Sequence, residues 1–181
     1  MTRTRLRARM SQDEFDTTYA VPHDASRFAD HALRVSETIR FIREQVGPVT
    51  IAADLSCGNG AIIDGIEADV RIKGDYAPGY EIVGPIEQTL PALGHVDLLI
   101  CSETVEHLDD PDSVIATARG RASHICVTTP LNETAWHNNP EHYWAWGLDD
   151  VSAMLTAGGF TNQRCLIVPT GFYTFQIWVA S

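Results

Sequence analysis

The chain is short of positive charge. Its 181 residues carry 13 Lys and Arg against 24 Asp and Glu, a formal net charge of −11. Arg3, Arg5, Arg7 and Arg9 take four of those cations, so everything after the first ten residues is more acidic still. Such a body repels phosphate backbones, which argues against a nucleic acid as substrate. Long hydrophobic runs are missing too. Nothing approaches the ~18 apolar residues that span a bilayer, and no apolar stretch follows the arginines as a secretory signal would require. The expectation is a cytoplasmic protein that meets no membrane. Cys57, Cys101, Cys126 and Cys165 contain no CxxC pair and no compact disulfide framework. Three of them fall in apolar runs and read as reduced core thiols. Repeats, low-complexity tracts and interdomain linkers are also lacking. With 44% hydrophobic and 20% charged residues, the chain fits one globular domain. Residues 1–10 read as a disordered basic tail, 11–47 as N-terminal helices forming a lid, and 48–181 as the core.

Ser11-Gln12-Asp13-Glu14 has the spacing of a capping box and predicts a short helix to about Tyr19. Beyond Pro22, Asp24 or Ser26 can cap a longer helix with Phe28, Ala32, Val35, Ile39, Ile42 and Val46 on one face, until Gly47-Pro48 stops it. Val49–Leu55 then reads as a strand buried on both faces. A helix over 61–68 and strands over 70–75, 81–84 and 95–102 follow. After them come a helix over 111–121, a strand over 123–129, a helix over 148–157 and two strands, 160–168 and 172–180. This alternation predicts an α/β fold: a doubly wound, mainly parallel seven-stranded sheet with helices on both faces. Pro169-Thr170-Gly171 is too short for a parallel crossover, so the last strand must run antiparallel.

Ligands of such sheets bind beyond the carboxyl ends of the strands, and three stretches there are unusual. Asp54-Leu55-Ser56-Cys57-Gly58-Asn59-Gly60 places glycines where a backbone must approach a ligand closely. Asp75 follows about 20 residues later, a spacing that suits a carboxylate gripping ribose hydroxyls. Ser102-Glu103-Thr104-Val105-Glu106-His107 crowds two acids and a histidine at one strand end.

Together these motifs resemble the class I SAM-dependent methyltransferases. Val96–Glu103 is similar to their fourth-strand motif, followed by Val105-Glu106-His107-Leu108 and Asp110-Pro111, then Thr128-Thr129-Pro130 and Ala157-Gly158-Gly159-Phe160. The resemblance covers residues 30–181. It implies that Asp54, Ser56, Gly58 and Gly60 frame the methionine part of S-adenosyl-L-methionine (SAM). It further implies Asp75 on the ribose, Ile86 and Glu87 beside adenine, and Ser102 and Glu103 near the methyl group. Ser56 replaces the commoner first glycine. Pro85 stands where an acid often contacts adenine. About six residues join strands two and three, so the adenine side is expected to be open.

Glu103, Glu106 and His107, with His142 further on, are similar to the ExxEH pattern of ubiquinone-pathway O-methyltransferases and small-RNA 3′-terminal 2′-O-methyltransferases. That likeness implies a divalent cation (Mg²⁺, Mn²⁺ or Zn²⁺) on Glu103, Glu106, His107 and His142, which would lower the pKa of a coordinated hydroxyl. In many relatives the histidine is instead a metal-free base or a structural partner, and His107, Glu106 and His142 are then the catalytic candidates. The segment from Trp136 to Trp146 is either a substrate wall or an apolar plug. The function expected is methyl transfer to an oxygen, or second a nitrogen, of a small molecule. A non-catalytic SAM-binding subunit and a nucleic-acid 2′-O-methyltransferase are the alternatives. A nicotinamide-dependent oxidoreductase fits least, since Ile63 occupies the third glycine position of GxGxxG.

Overall fold

The computed structural model describes residues 3–24 and 28–181. In chain order the strands are β1 (Thr4–Arg5), β2 (Val49–Asp54), β3 (Ala68–Asp75), β4 (Ile82–Val83), β5 (Val96–Ser102), β6 (Ala122–Pro130), β7 (Trp144–Ala145), β8 (Gln163–Pro169) and β9 (Thr174–Ala180). The helices are α1 (Gln12–Thr18), α2 (Ala29–Gln45), α3 (Ile86–Thr89), α4 (Pro111–Arg119) and α5 (Leu148–Ala157). Seven strands form one sheet in the order β4-β3-β2-β5-β6-β9-β8. All pairings are parallel except those of β9, which runs antiparallel to both β6 and β8. The chain leaves β2 in one direction, to β3 and β4, and resumes at β5 on the other side. The carboxyl ends of β2 and β5 therefore flank the topological switch point, where such sheets bind ligands.

Alternation along β5 fixes the two layers. Leu99 and Cys101 face α3, α4 and α5 through Ile86, Ile115, Val151 and Leu155. Leu98 and Ile100 face the other way, onto Phe41 and Ile42 of α2 and the isoleucines at 62, 63 and 66. This second face is thin. The helix expected over 61–68 is a single 3-10 turn, Ile63–Gly65, because α2 already occupies the space. A Cβ on Gly65 would lie 2.3 Å from Ile39 Cδ1.

Three further expectations are corrected. The N-terminal arginines, expected in a solvated tail, are fastened down: β1 pairs antiparallel with β7. Arg3 forms an ion pair with Asp112 at 2.7 Å, and the guanidinium groups of Arg3 and Arg5 lie over the Trp144 ring at 4.6 and 4.8 Å. Arginine stems and planes cover tryptophan faces that would otherwise meet water. Cys165 is exposed, because β8 is the sheet edge, while Cys101 and Cys126 are buried as expected. The long helix begins after Phe28 rather than at Asp24, with no side-chain cap; Ser26 lies outside the described residues. Val35, Ile39, Ile42 and Val46 pack on the core as expected, but Arg34, Thr38 and Phe41 are buried beside them while Phe28 is 53% exposed. No described helix is long and apolar enough to cross a membrane.

Candidate functional site

A cavity of about 820 Å³ opens at the carboxyl ends of β2, β3 and β5. That volume lies in the upper part of the range of about 300–1,000 Å³ for small-molecule and cofactor sites. On one side lie Asp54, Ser56, Gly58, Asp75, Ile86 and Glu87; at the floor, Ser102 and Glu103; on the other side, His107 and His142. Gly60 is not among the lining residues. Its φ of +80° turns the chain behind the cavity, where a Cβ would press on Asp64 and Lys73.

The glycine turn is held by the carboxylates around it. Asp54 ends β2 fully enclosed and accepts the Ser56 N–H at 3.1 Å. Burial pushes its carboxyl up to about 7, with Asp75 adding to the rise and the Ser56 N–H opposing it. Asp75 ends β3 and accepts the N–H groups of Gly58 at 2.7 Å and Ala77 at 3.0 Å. Tyr80 donates its hydroxyl to the Gly58 carbonyl at 2.6 Å. Gly58 itself has φ +53°, and a Cβ there would strike the His23 carbonyl at 2.8 Å. Only glycine meets both demands. Between β3 and β4 the chain makes a turn with no helix, and Pro85, Ile86 and Glu87 line the cavity beyond it.

At the floor, Arg34 reaches in from α2, which the sequence reading had not anticipated. It is 4% exposed, donates to Ser102 Oγ at 2.5 Å and contacts His31 Nδ1 at 2.8 Å. Glu103 takes a left-handed backbone at φ +51°, a conformation that costs a non-glycine residue energy and clusters at functional sites. Its N–H donates to the Thr128 carbonyl, and its Oε1 accepts the Thr128 hydroxyl at 2.8 Å. Desolvation raises the Glu103 carboxyl, with Arg34 pulling against it.

Glu106, His107 and His142 come together, with one donor atom from each within 4.8 Å of the others. Glu103 stands outside that triplet, since Thr128 holds its carboxylate at the floor; the four-ligand expectation is corrected to three. Burial lowers the imidazoles of His107 to about 3 and His142 to about 4, the former also through His142 itself. Both are therefore neutral at pH 7. His107 Nδ1 lies 3.0 Å from the Glu141 carbonyl. A carbonyl can only accept, so the proton sits on Nδ1 and the Nε2 lone pair is free. Tyr19, from the end of α1, donates to Glu141 Oε2 at 2.9 Å and touches the same imidazole nitrogen. His142 Nδ1 faces Glu133 Oε2 at 2.5 Å, and its Nε2 faces the Asn139 amide. Glu106 is wholly enclosed, and neither of its carboxylate oxygens has a partner in hydrogen-bond geometry among the described residues, although the equally unpartnered Thr129 hydroxyl lies close enough to act on it.

A cation bound by nitrogen and oxygen ligands at about 2.1 Å holds them at most about 4.2 Å apart. The triplet therefore needs a small inward movement, with the Asn139 amide released from His142. The donor set otherwise fits: two imidazoles, each with its other nitrogen on a carbonyl or carboxylate, and one orphaned carboxylate. The family resemblance pointed to Glu106, His107 and His142. It gave no sign of Glu133, Glu141, Asn139 or Arg34, whose roles depend on loop and helix rotation.

The chain matches no family model and no curated protein. Solved structures do share its fold. The 1,6-didemethyltoxoflavin N1-methyltransferase of Burkholderia thailandensis, with its acceptor and S-adenosylhomocysteine (SAH) bound, superposes with a TM-score of 0.69 at 11% identity; the match covers 99% of this chain and 94% of that one. Magnesium protoporphyrin IX methyltransferase from Synechocystis PCC 6803, with bound SAH, gives 0.66 at 14% identity over 93% and 92%. The SAH-bound N-terminal domain of EvdMO1 gives 0.62 at 14% identity over 97% and 99%. The chain has the class I methyltransferase fold.

Proposed function

We propose that this protein is a SAM-dependent methyltransferase that methylates an oxygen of a small molecule. The observation that carries the reading is one cavity with a carboxylate-braced glycine turn at one end and a neutral imidazole, its Nε2 free, at the other. SAM supplies an already activated methyl group, so the protein's work is alignment and proton removal. Asp75 has spare lone pairs for ribose hydroxyls, the open side beside Ile86 and Glu87 takes the adenine, and Ser102 and Glu103 form the floor near the methyl. His107 Nε2 accepts the hydroxyl proton, while the Glu141 carbonyl on Nδ1 steadies the resulting imidazolium. Asp54 and Glu103 stand near the cationic end of the cofactor. SAH in the neighbouring folds supports this placement. The cavity's carboxylates and the chain's acidity disfavour a nucleic acid.

The orphaned Glu106 favours a second reading of the acceptor end. Glu106, His107 and His142 would hold a divalent cation, which when bound supplies Lewis-acid polarisation of the acceptor oxygen. The test is calorimetric titration of SAH into the protein, with EDTA and with Mg²⁺ or Mn²⁺. SAH binding that is lost in Asp75→Ala supports the cofactor site. A separate metal isotherm abolished by His107→Ala supports the cation. A folded protein that binds no SAH under any of these conditions refutes methyl transfer.

A further inference from the structure

The acceptor side of the cavity is walled by rings that run unbroken from the inner imidazoles to the surface. His107 and His142 have centroids 4.8 Å apart, and Tyr173 follows His142 at 6.2 Å. Phe172 follows Tyr173 at 4.8 Å, and Trp136 stacks on Phe172 at 5.7 Å. The outer end is in water: Trp136 is 76% exposed and Phe172 50%.

These exposed rings stand on pinned backbone. Asp30 of α2 accepts the Thr170 hydroxyl and the Phe172 N–H, both at 2.9 Å, and the Gly171 N–H at 3.3 Å. Those bonds hold the Asp30 carboxyl below its ordinary range. Trp136 sits in a 3-10 turn (Ala135–His137) closed by Thr134 and His137 bonding to each other. A rigid pair of rings turned to solvent is unfavourable in the free protein and becomes favourable once a flat apolar surface covers it. Six carboxylates line the cavity against only two guanidinium groups, Arg9 and Arg34. An anionic ligand would meet net repulsion there.

We infer that the acceptor is a flat, uncharged aromatic hydroxyl compound, its ring lying along Phe172 and Tyr173 and its hydroxyl turned toward His107. The inference rests on the methyl-transfer reading for the role of that hydroxyl, while the ring subsite can be measured by itself. Naphthol, its saturated counterpart decalol, and hydroxynaphthoate would each be titrated calorimetrically into the protein, with and without saturating SAH. The same titrations would be run on Phe172→Leu, which keeps apolar bulk without a ring, and on Trp136→Ala. Naphthol should bind about tenfold tighter than either comparison compound. Each variant should weaken naphthol by about three- to tenfold, the worth of one ring contact, with melting temperature and SAH affinity unchanged. Decalol or hydroxynaphthoate binding as well as naphthol, or both variants binding naphthol normally, would overturn the inference while leaving normal SAH binding to support methyl transfer. Ring-selective binding in a protein that takes no SAH would do the reverse, removing the methyl-transfer reading and sustaining the aromatic subsite.

Discussion

Replacing Glu106 by leucine should stabilise the protein, although it removes one of the three proposed metal ligands. The carboxyl is wholly enclosed, with no hydrogen-bond partner for either oxygen among the described residues. Burial, and then the neighbouring Glu103, push it well above the ordinary carboxylate range, against a weaker pull from its own backbone N–H and the nearby Thr129 hydroxyl. A buried polar group without a partner costs about 1–3 kcal/mol, and leucine fills a similar volume without that cost. In a domain of this size each kcal/mol moves the melting temperature by about 2–4 °C, so Glu106→Leu should melt about 2–12 °C higher in EDTA. A divalent cation that binds only the native triplet would add about 2.7 kcal/mol to the wild type at a hundredfold excess over its Kd, and nothing to the variant. The gap measured in EDTA should then close or reverse in Mn²⁺. Melting curves by circular dichroism under both conditions give the answer. A variant that melts more than about 4 °C lower in EDTA would show that the carboxyl has a stabilising partner in solution, and the orphan argument would fall.

Asp54 makes stability depend on pH. Its native carboxyl titrates near 7 against an ordinary 3.8, so the native state holds the proton more tightly than the unfolded chain. That contribution is complete below about pH 4 and is lost as pH rises through 7, an effect of up to about 4 kcal/mol. Urea unfolding should show wild type losing more stability than Asp54→Asn between those limits; parallel profiles would refute the value. Deleting residues 3–9 removes the β1–β7 pairing, the Arg3–Asp112 ion pair and the guanidinium cover on Trp144. It should cost about 1–2 kcal/mol and red-shift tryptophan emission, whereas unchanged emission would mean the arm does not cover the ring in solution. Asp75→Asn keeps the shape but weakens charge-assisted bonds worth about 1.5–3 kcal/mol each, so SAH affinity should fall by at least about tenfold. Affinity within twofold of wild type would remove Asp75 from the cofactor site.

What could be read from the residues was the part governed by local periodicity. The apolar run at 96–102 and the tight Pro169-Thr170-Gly171 turn were enough to place a central parallel strand and an antiparallel closing pair, and α5 begins and ends where Leu148 and Gly158 imply. The helix expected over 61–68 failed because it depends on space. Its apolar residues suit a helix, but Gly65 is pressed against Ile39 of a helix 26 residues upstream in the chain. The apolar face of α2 was legible from Val35 to Val46, but not the buried Arg34 beside it. Val35, Ile39, Ile42 and Val46 do face the sheet, and the hydroxyls of Ser102 and Thr128 at its carboxyl ends explain why Arg34 turns inward with them.

The same division runs through the site. Asp54 and Asp75 each end a strand whose place in the sheet was legible, and Gly58 lies in the turn that follows the first, so their convergence follows from topology. His142 is different. It lies on a loop with no regular structure, and its position is set by two residues of that loop and by a neighbour tied to distant parts of the chain. Glu133 and Asn139 hold its two nitrogens, Tyr143 N–H bonds the Glu106 carbonyl, and Leu6 N–H bonds the Tyr143 carbonyl. The chain's first residues thus reach the acceptor end of the cavity through two backbone hydrogen bonds. An arm that looks dispensable by composition is a brace for the loop that carries a proposed ligand. Truncation at residue 10 should therefore disturb the His142 side while leaving the glycine turn, held by Asp75 and Tyr80, intact. SAH binding by the truncated protein, with ring binding weakened, is the outcome that this wiring requires.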